Sequence, residues 1–584
     1  MSLIEVENIS FTYPMQKEKP QAALRNVTLK IEAGEKIAII GSNGSGKTTL
    51  ARHLNALFIP TSGRVLVKGM DTRLQSHHQK IRSTVGMVFQ QPEDQMIATI
   101  VEEDVAFGLE NLGLTASEIR RRIDESLSTV GLLDQRLRPP HLLSAGQMQR
   151  VALAGILAMQ PDCIIFDEAT AMLDPSGRRM VLRVMDDLHQ AGLTIIYITH
   201  FMNEAARANR IIVLDRGEIV MDGSPASIFS NQSAIQQFGL VFPPAALVAD
   251  QLRKIFPSLP SNLLTVNQVS EAFPEYAGNL KFQINEPDIA SKTAVEPDDL
   301  IQVEHLHHTY LYKTPLESVS LEDISISIPI DEIHGLIGAT GSGKSTLLQH
   351  LNGLILPQSG RVQVGTYHLS NAHIDLQALR RYAGLVFQNP ENQIFEQYVG
   401  DEIAYGPRLQ GLKGQQLRER VQQAMQFVGL DFETFKDRFT FSLSGGERRK
   451  VALASTLANH PSILLLDEPT ASLDPLARSE LLKNLQALNQ SGITMVISTH
   501  QMEDLLEVSH KISVIDQGRN AIYGSPKQVF SQLNKLKSLG LEPPVVTRIA
   551  DALRQERHWP IPAEVVIESE LIENLNMLLE RKSP

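Results

Sequence analysis

Two lysines, Lys47 and Lys344, each follow a glycine-rich stretch, GSNGSGKTT from Gly41 to Thr49 and GATGSGKST from Gly338 to Thr346. Both stretches fit G-x-x-x-x-G-K-[ST] without a mismatch. Glycines at this spacing let backbone N–H groups close around phosphate: those of Gly41, Ser42, Asn43, Gly44, Ser45 and Gly46 in the first copy, and of Gly338, Ala339, Thr340, Gly341, Ser342 and Gly343 in the second. Lys47 and Lys344 would neutralise the β- and γ-phosphates of a bound nucleotide. The hydroxyls of Thr48 and Ser345 would ligate Mg²⁺, and Thr49 and Thr346 complete the nucleotide-binding stretch.

Downstream of each loop an apolar run ends in two acids, CIIFDE (Asp167, Glu168) and ILLLDE (Asp467, Glu468). An acid at the end of a buried strand beside a phosphate loop can hold Mg²⁺, and the next can orient or deprotonate an attacking water. Strand-end acids that only cap a turn are the plainer alternative. A further apolar run ends in a histidine each time, TIIYITH at His200 and TMVISTH at His500, 32 residues after the second acid in both copies. Such an imidazole suits a contact to the γ-phosphate or the water, although a lone histidine there is more often structural. Between loop and acids come VFQQPEDQ with Gln90, VFQNPENQ with Gln388, and then LSAGQ and LSGGE. Ser144 with Gln147, and Ser444 with Glu447, fit a capping box, while the small residues Ala145, Gly146, Gly445 and Gly446 also allow an anion to approach the helix N-terminus.

Parallel strands must position these residues. KIAIIG and IHGLIG lead into the phosphate loops as buried strands, and helix formers follow. Equivalent positions lie 297 residues apart at Lys47/Lys344, 298 at Gln90/Gln388 and 300 at Glu168/Glu468 and His200/His500. A drift of three residues over that length marks a duplicated domain. At 584 residues and 42% hydrophobic, the chain has room for two such units of two lobes. A net charge of −12 offers no general attraction to nucleic acid, and none is expected as a partner. The single Cys163 excludes an internal disulfide and reads as a small core residue. The clusters at His77 and His78, and at His305, His307 and His308, read as strand residues whose side chains alternate between faces, with no acidic or cysteine partner at metal-ligand spacing. No apolar stretch is long enough to span a bilayer, and MSLIEVENIS lacks a signal pattern, so the chain is expected to remain in the cytoplasm.

Phosphate loop, glutamine loop, LSGGQ-like signature, acidic pair, the loops MLD (Asp174) and SLD (Asp474), and the terminal histidine together resemble ATP-binding cassette (ABC) ATPases. The resemblance implies an α/β fold of two tandem P-loop domains, each a RecA-like core with a helical subdomain. It also implies that the cassettes pair head to tail within the chain. One site would then join Lys47, Thr48, Gln90, Asp167, Glu168 and His200 to Ser444, Gly445 and Gly446. The other would join Lys344, Ser345, Gln388, Asp467, Glu468 and His500 to Ser144, Ala145 and Gly146. By the same resemblance Gln90 and Gln388 join Thr48, Asp167, Ser345 and Asp467 around Mg²⁺, and Tyr13 and Tyr310 stand at the adenine-stacking position. Packing on the sheet is the alternative for these tyrosines. Ala145 departs from the usual glycine and predicts modest asymmetry, not a dead site.

The segments at residues 88–114 and 386–412 resemble the energy-coupling factor (ECF) subgroup of importers for vitamins and metal ions. The first half is similar to its A1-type ATPase and the second to its A2-type. Matching tails, GLVFPPAALVADQLRKIFPSLP from Gly239 and GLEPPVVTRIADALRQERHWP from Gly540, are similar to that subgroup's mainly helical C-terminal extension. The expected organisation is cassette 1 at 1–226, its extension at 227–270, a linker at 271–299, cassette 2 at 300–528 and its extension at 529–584. The resemblance implies a peripheral ATPase on the cytoplasmic face of the cell membrane. Its partners would be a membrane-embedded scaffold (T-type) subunit and substrate-binding (S-type) subunits, with Glu93, Asp94 and Glu391 facing arginines of the scaffold or forming a solvated turn. A fused sugar-importer ATPase and a soluble ribosome-associated factor are the rival readings. A proline-bearing linker in place of a long charged helix disfavours the second.

Overall fold

A computed structural model describes residues 2–13, 22–171, 173, 175–230, 232–276, 299–314, 317–371, 373–471, 473 and 475–580. Asp174, Asp474 and most of the expected linker lie outside the described residues. Two compact units emerge, one reaching Phe273 and one starting at Pro274.

In the first unit, the run KIAII forms the strand Lys36–Ile40, buried along its whole length. Its side chains alternate: Ala38 and Ile40 join the core against the helices, whereas Ile37 and Ile39 join the core on the opposite face. Burial on both faces is why the run is continuously apolar. The strand lies inside a six-stranded sheet ordered Glu218–Gly223, Arg210–Asp215, Lys36–Ile40, Thr194–Ile198, Cys163–Asp167 and Val85–Val88. Only the first pair is antiparallel. A separate antiparallel sheet is ordered Ala22–Glu32, Ser2–Thr12, Ser62–Val67 and Met70–Asp71. The second unit repeats this order, but there the two sheets merge into one of ten strands through a parallel pairing at Asp323 and Arg519.

Helices Val101–Asn111, Ala116–Thr129 and Ala145–Ala158 form the helical lobe of the first unit. Their counterparts in the second are Val399–Leu409, Gly414–Phe427 and Gly445–Leu457. Extension helices follow: Pro244–Ile255 and Val266–Ala272, then Val545–Arg557 and Glu568–Glu580. Ala245, Val248, Ala249 and Leu252 form the buried face of one; Ile549, Ala550 and Leu553 form that of its counterpart. Helix Val266–Ala272 runs past the expected linker start at residue 271, because a Thr265/Gln268 capping box starts it and the buried Val269 and Phe273 pin its end.

His77 and His78 correct the sequence reading. They lie in a short turn, Gln75–His77, and in helix His78–Thr84, not on a strand, and their rings meet the carbonyls of Asp71 (3.2 Å) and Thr72 (2.8 Å). The turn that follows the two-residue strand Met70–Asp71 brings both rings back onto its carbonyls, that of Asp71 also accepting from Leu74 N at 3.2 Å. His305, His307 and His308 do lie on the strand Ile301–Tyr310, and Cys163 is fully buried. Among the described residues, no helix is long and apolar enough to cross a membrane.

Candidate nucleotide site

The phosphate loop, glutamine, acidic pair and histidine of a unit converge at the C-terminal edge of its parallel strands, where open α/β sheets bind ligands. Gly41 follows Lys36–Ile40, Asp167 ends Cys163–Asp167, His200 lies just beyond Thr194–Ile198, and Gln90 just beyond Val85–Val88. The second unit places Gly338, Asp467, His500 and Gln388 in the same way.

One glycine in each phosphate loop makes its turn into the helix possible. Gly46 and Gly343 have φ of 103° and 106° at the helix N-cap, and a Cβ there would come within 2.6 Å of the Ala23 or Ser320 carbonyl. Behind them Lys47 Nζ donates to the carbonyls of Gly41 and Ser42, both at 2.9 Å, and Lys344 Nζ to those of Gly338 (2.8 Å) and Ala339 (2.9 Å). Each ammonium is thereby held over its own loop. Among the described residues the Ser45 and Ser342 hydroxyls are buried there without a partner, which leaves each able to meet a polar ligand.

Thr48 Oγ1 donates to Asp167 Oδ1 at 2.9 Å. Burial, followed by the neighbouring Glu168 charge, pushes the Asp167 carboxyl up to about 6. Asp467 is also raised by burial; hydrogen bonds from Ser345 and Ser498 oppose that rise. A buried carboxylate paired with a hydroxyl, with an amide oxygen available from the glutamine loop, is a hard oxygen donor set that fits Mg²⁺. Glu168 accepts from Gln90 Nε2 at 2.8 Å and meets His200 Nε2 at 2.5 Å, so both its oxygens are engaged. Glu468 meets His500 through Nδ1 at 2.9 Å. Burial works to raise both glutamates, but the adjacent imidazole and the loop lysine hold each below the usual carboxylate range. The backbone reverses at these residues with φ of 50° and 51°, a conformation that a glutamate adopts only at a cost and that concentrates at functional sites.

Tyr13 Oη lies 2.9 Å from Thr49 Oγ1, and Tyr310 Oη 3.2 Å from Thr346 Oγ1. The rings are 37% and 40% exposed, so each is tethered at its tip and open to a planar ligand. Ser144 and Ser444 begin helices Ala145–Ala158 and Gly445–Leu457 with complete capping boxes to Gln147 and Glu447. Gly146 and Gly446 lie in the first turn of those helices.

Spacing alone misses several supports. Gln95 accepts from Phe89 N (2.8 Å) and donates to Met87 O (3.1 Å), folding the segment after Gln90 back on its strand. Gln393 accepts from Phe387 N (3.3 Å) and donates to Ala452 O (2.9 Å) on the following helix. The repeated second glutamine of F-Q-x-P-E-x-Q was the available signal. Glu204 accepts from Thr170 (2.9 Å) and Thr199 (2.7 Å), joining the loop after the acidic pair to the loop before His200, and Asp504 accepts from Thr470 at 2.6 Å. Both carboxyls are raised by burial. Glu391 pairs with Arg448 of its own unit, while Glu93 and Asp94 are exposed.

The family model for ABC transporters matches residues 24–171 and 321–471. The chain belongs to the ABC transporter family. As a tandem ABC ATPase it binds and hydrolyses ATP. A protein of Caldanaerobacter subterraneus subsp. tengcongensis named as an ABC transporter ATP-binding protein is 35% identical over 570 residues, 94% of this chain and 96% of its own. The first half is similar to an energy-coupling factor transporter ATP-binding protein, EcfA1, of Clostridium novyi: 50% identical over 272 residues, 46% of this chain and 97% of that protein. The solved structure of cbiO1 from Clostridium perfringens, part of the ABC transporter complex cbiONQ, is 31% identical over 44% of this chain and 99% of its own, with a TM-score of 0.37. Each ABC cassette of the chain therefore carries its own loop, acids and histidine, with different supports around them.

Proposed function

We propose that this chain is the ATP-hydrolysing subunit of an ECF-type importer, coupling two ATP sites to uptake of a vitamin or metal ion. A T-type scaffold and S-type binding subunits would be its membrane partners, and the cytoplasmic face of the membrane its place. The proposal assigns cassettes to 1–226 and 300–528 and extensions to 227–270 and 529–584. The observation that carries it is a cleft of about 730 Å³ between the sheet lobe and the helical lobe of the first cassette, lined by Gln79, Arg82, Asp104, Phe107 and Asn111. Phe107 and Ile97 are 45% and 66% exposed there, which suits an amphipathic helix of a partner. The likeness of the first half to EcfA1 supports the same reading.

In this mechanism Tyr13 and Tyr310 stack on adenine, and the loop N–H groups with Lys47 and Lys344 take the phosphates. Thr48, Asp167 and Gln90, and Ser345, Asp467 and Gln388, would hold Mg²⁺, which supplies charge neutralisation on the phosphate oxygens. Glu168 and Glu468, kept ionised, orient a water and accept its proton as its oxygen bonds to the γ-phosphorus and the bond to ADP breaks. His200 and His500 hold those glutamates in place. ATP binding draws the cassettes into the head-to-tail pair, and the signature serines of each complete the site of the other.

The test is to tag the chain in its native cell, solubilise membranes in mild detergent and identify what copurifies. A polytopic scaffold with small membrane-embedded binders is the expected outcome. Ribosomes, or soluble proteins alone, would overturn the importer reading.

A further inference from the structure

We propose that Arg449 is a positioning residue for hydrolysis in the second cassette, tying the main chain of the glutamine loop to the main chain of the catalytic glutamate. Arg449 lies on helix Gly445–Leu457, which starts at the signature motif, and is 7% exposed. Its Nη2 donates to the Gln388 carbonyl at 2.8 Å and its Nη1 to the Glu468 carbonyl. A guanidinium is costly to bury, and its planar fork offsets that cost by meeting two fixed acceptors at once. Burial pushes its pKa down to about 10, against the opposing charges of Glu468 and Asp467, so it remains charged at neutral pH.

The acceptors belong to two different working loops. Gln388 is the phosphate-facing glutamine, and Glu468 is the base, held at a φ of 51°. Any tilt of the helix therefore moves both carbonyls together, and the direction of the Glu468 side chain follows its backbone.

The first cassette supplies an internal control. The equivalent residue is Gln149, buried, whose Nε2 donates to Phe89 O at 3.1 Å. There the glutamine loop reaches the base through a side chain, Gln90 Nε2 to Glu168 Oε2 at 2.8 Å. In the second cassette Gln388 is exposed, and the link runs through Arg449. One cassette is coupled by a side-chain contact; the other is coupled through its backbone.

The inference rests on ATP hydrolysis by the second cassette and not on the importer reading. The experiment compares Arg449→Gln, Arg449→Lys and Gln149→Arg in the full chain, measuring kcat, KM and thermal melting. Vanadate trapping of 8-azido-ATP, with labelled peptides located by mass spectrometry, separates the two sites. Arg449→Gln is expected to slow trapping at the second site about 10-fold while the first is labelled as before, to lower the second site's turnover by the same factor, and to leave KM within about twofold. Arg449→Lys, which keeps the charge and reaches one carbonyl, is expected to recover part of that loss; it decides the matter if the glutamine variant melts early. A raised KM with kcat intact, equal loss of trapping at both sites, or a lysine variant no better than glutamine at unchanged melting would overturn the proposal.

Discussion

The two cassettes hold the proposed catalytic carboxylate, Glu168 in one and Glu468 in the other, by different means. In the first, side chains do it: Gln90 and His200 occupy both oxygens of Glu168, and Ile198 stands behind Asp167. In the second, Arg449 grips the Glu468 carbonyl, His500 approaches through its other ring nitrogen, and Ser498 Oγ donates to Asp467. The candidate reacting groups are retained in both copies while the supports around them differ.

The strongest way to break this comparison is to remove the bases. Glu168→Gln with Glu468→Gln is expected to lower turnover by at least about 100-fold with ATP affinity retained, since the loss falls on proton transfer and not on phosphate contacts. Steady-state hydrolysis and binding of a fluorescent ATP analogue check it, and unchanged turnover would refute the assignment of both glutamates. A sharper contrast comes from the glutamine loops. Gln90→Ala should cost the first site about 10-fold and Gln388→Ala the second only about threefold, because Gln90 alone contacts its base. Site-resolved trapping reads both, and equal losses would erase the distinction.

Smaller effects separate the metal-holding acids. Ser498→Ala removes a hydrogen bond from Asp467 that Ile198 does not give to Asp167, and is expected to raise the Mg²⁺ needed for half-maximal activity about threefold. The smallest effect concerns acid stability. Burial lowers His350 from 6.5 to about 4, and it also lowers His308, whose ring lies 4.9 Å from that of His350. In the first cassette Phe11 packs on His53, which burial also lowers. A folded-state pKa below the unfolded one means that the unfolded chain binds more protons between those values, so stability is full above about 6.5 and is lost as pH falls toward 4. Melting of the second cassette should drop over that window, and His308→Phe should flatten the drop, as calorimetry at stepped pH would show.

Much of this was legible in the residues because the motifs are local. A glycine loop, a strand-end acid pair and a strand-end histidine fix both chemistry and position, and continuous apolar runs such as KIAII predict central parallel strands. What stayed hidden depends on long-range packing. Nothing in the spacing says that Arg449 reaches back 61 residues to the Gln388 carbonyl or that Glu204 closes on Thr170. His77 and His78 misled because an isolated histidine pair carries no period, and a turn after the two-residue strand Met70–Asp71 captured them. Glu391, expected either to face arginines of a partner or to form a solvated turn, pairs with Arg448, a contact across 57 residues that local pattern does not reveal.

The central claim is that one chain holds two complete ATP sites with different supports. It is tested most directly by counting nucleotide: the Glu168→Gln, Glu468→Gln chain, saturated with radiolabelled ATP and Mg²⁺ and freed of excess by rapid gel filtration, should retain two ATP per chain. Retention of one would contradict the account and leave a single working cassette with a silent copy.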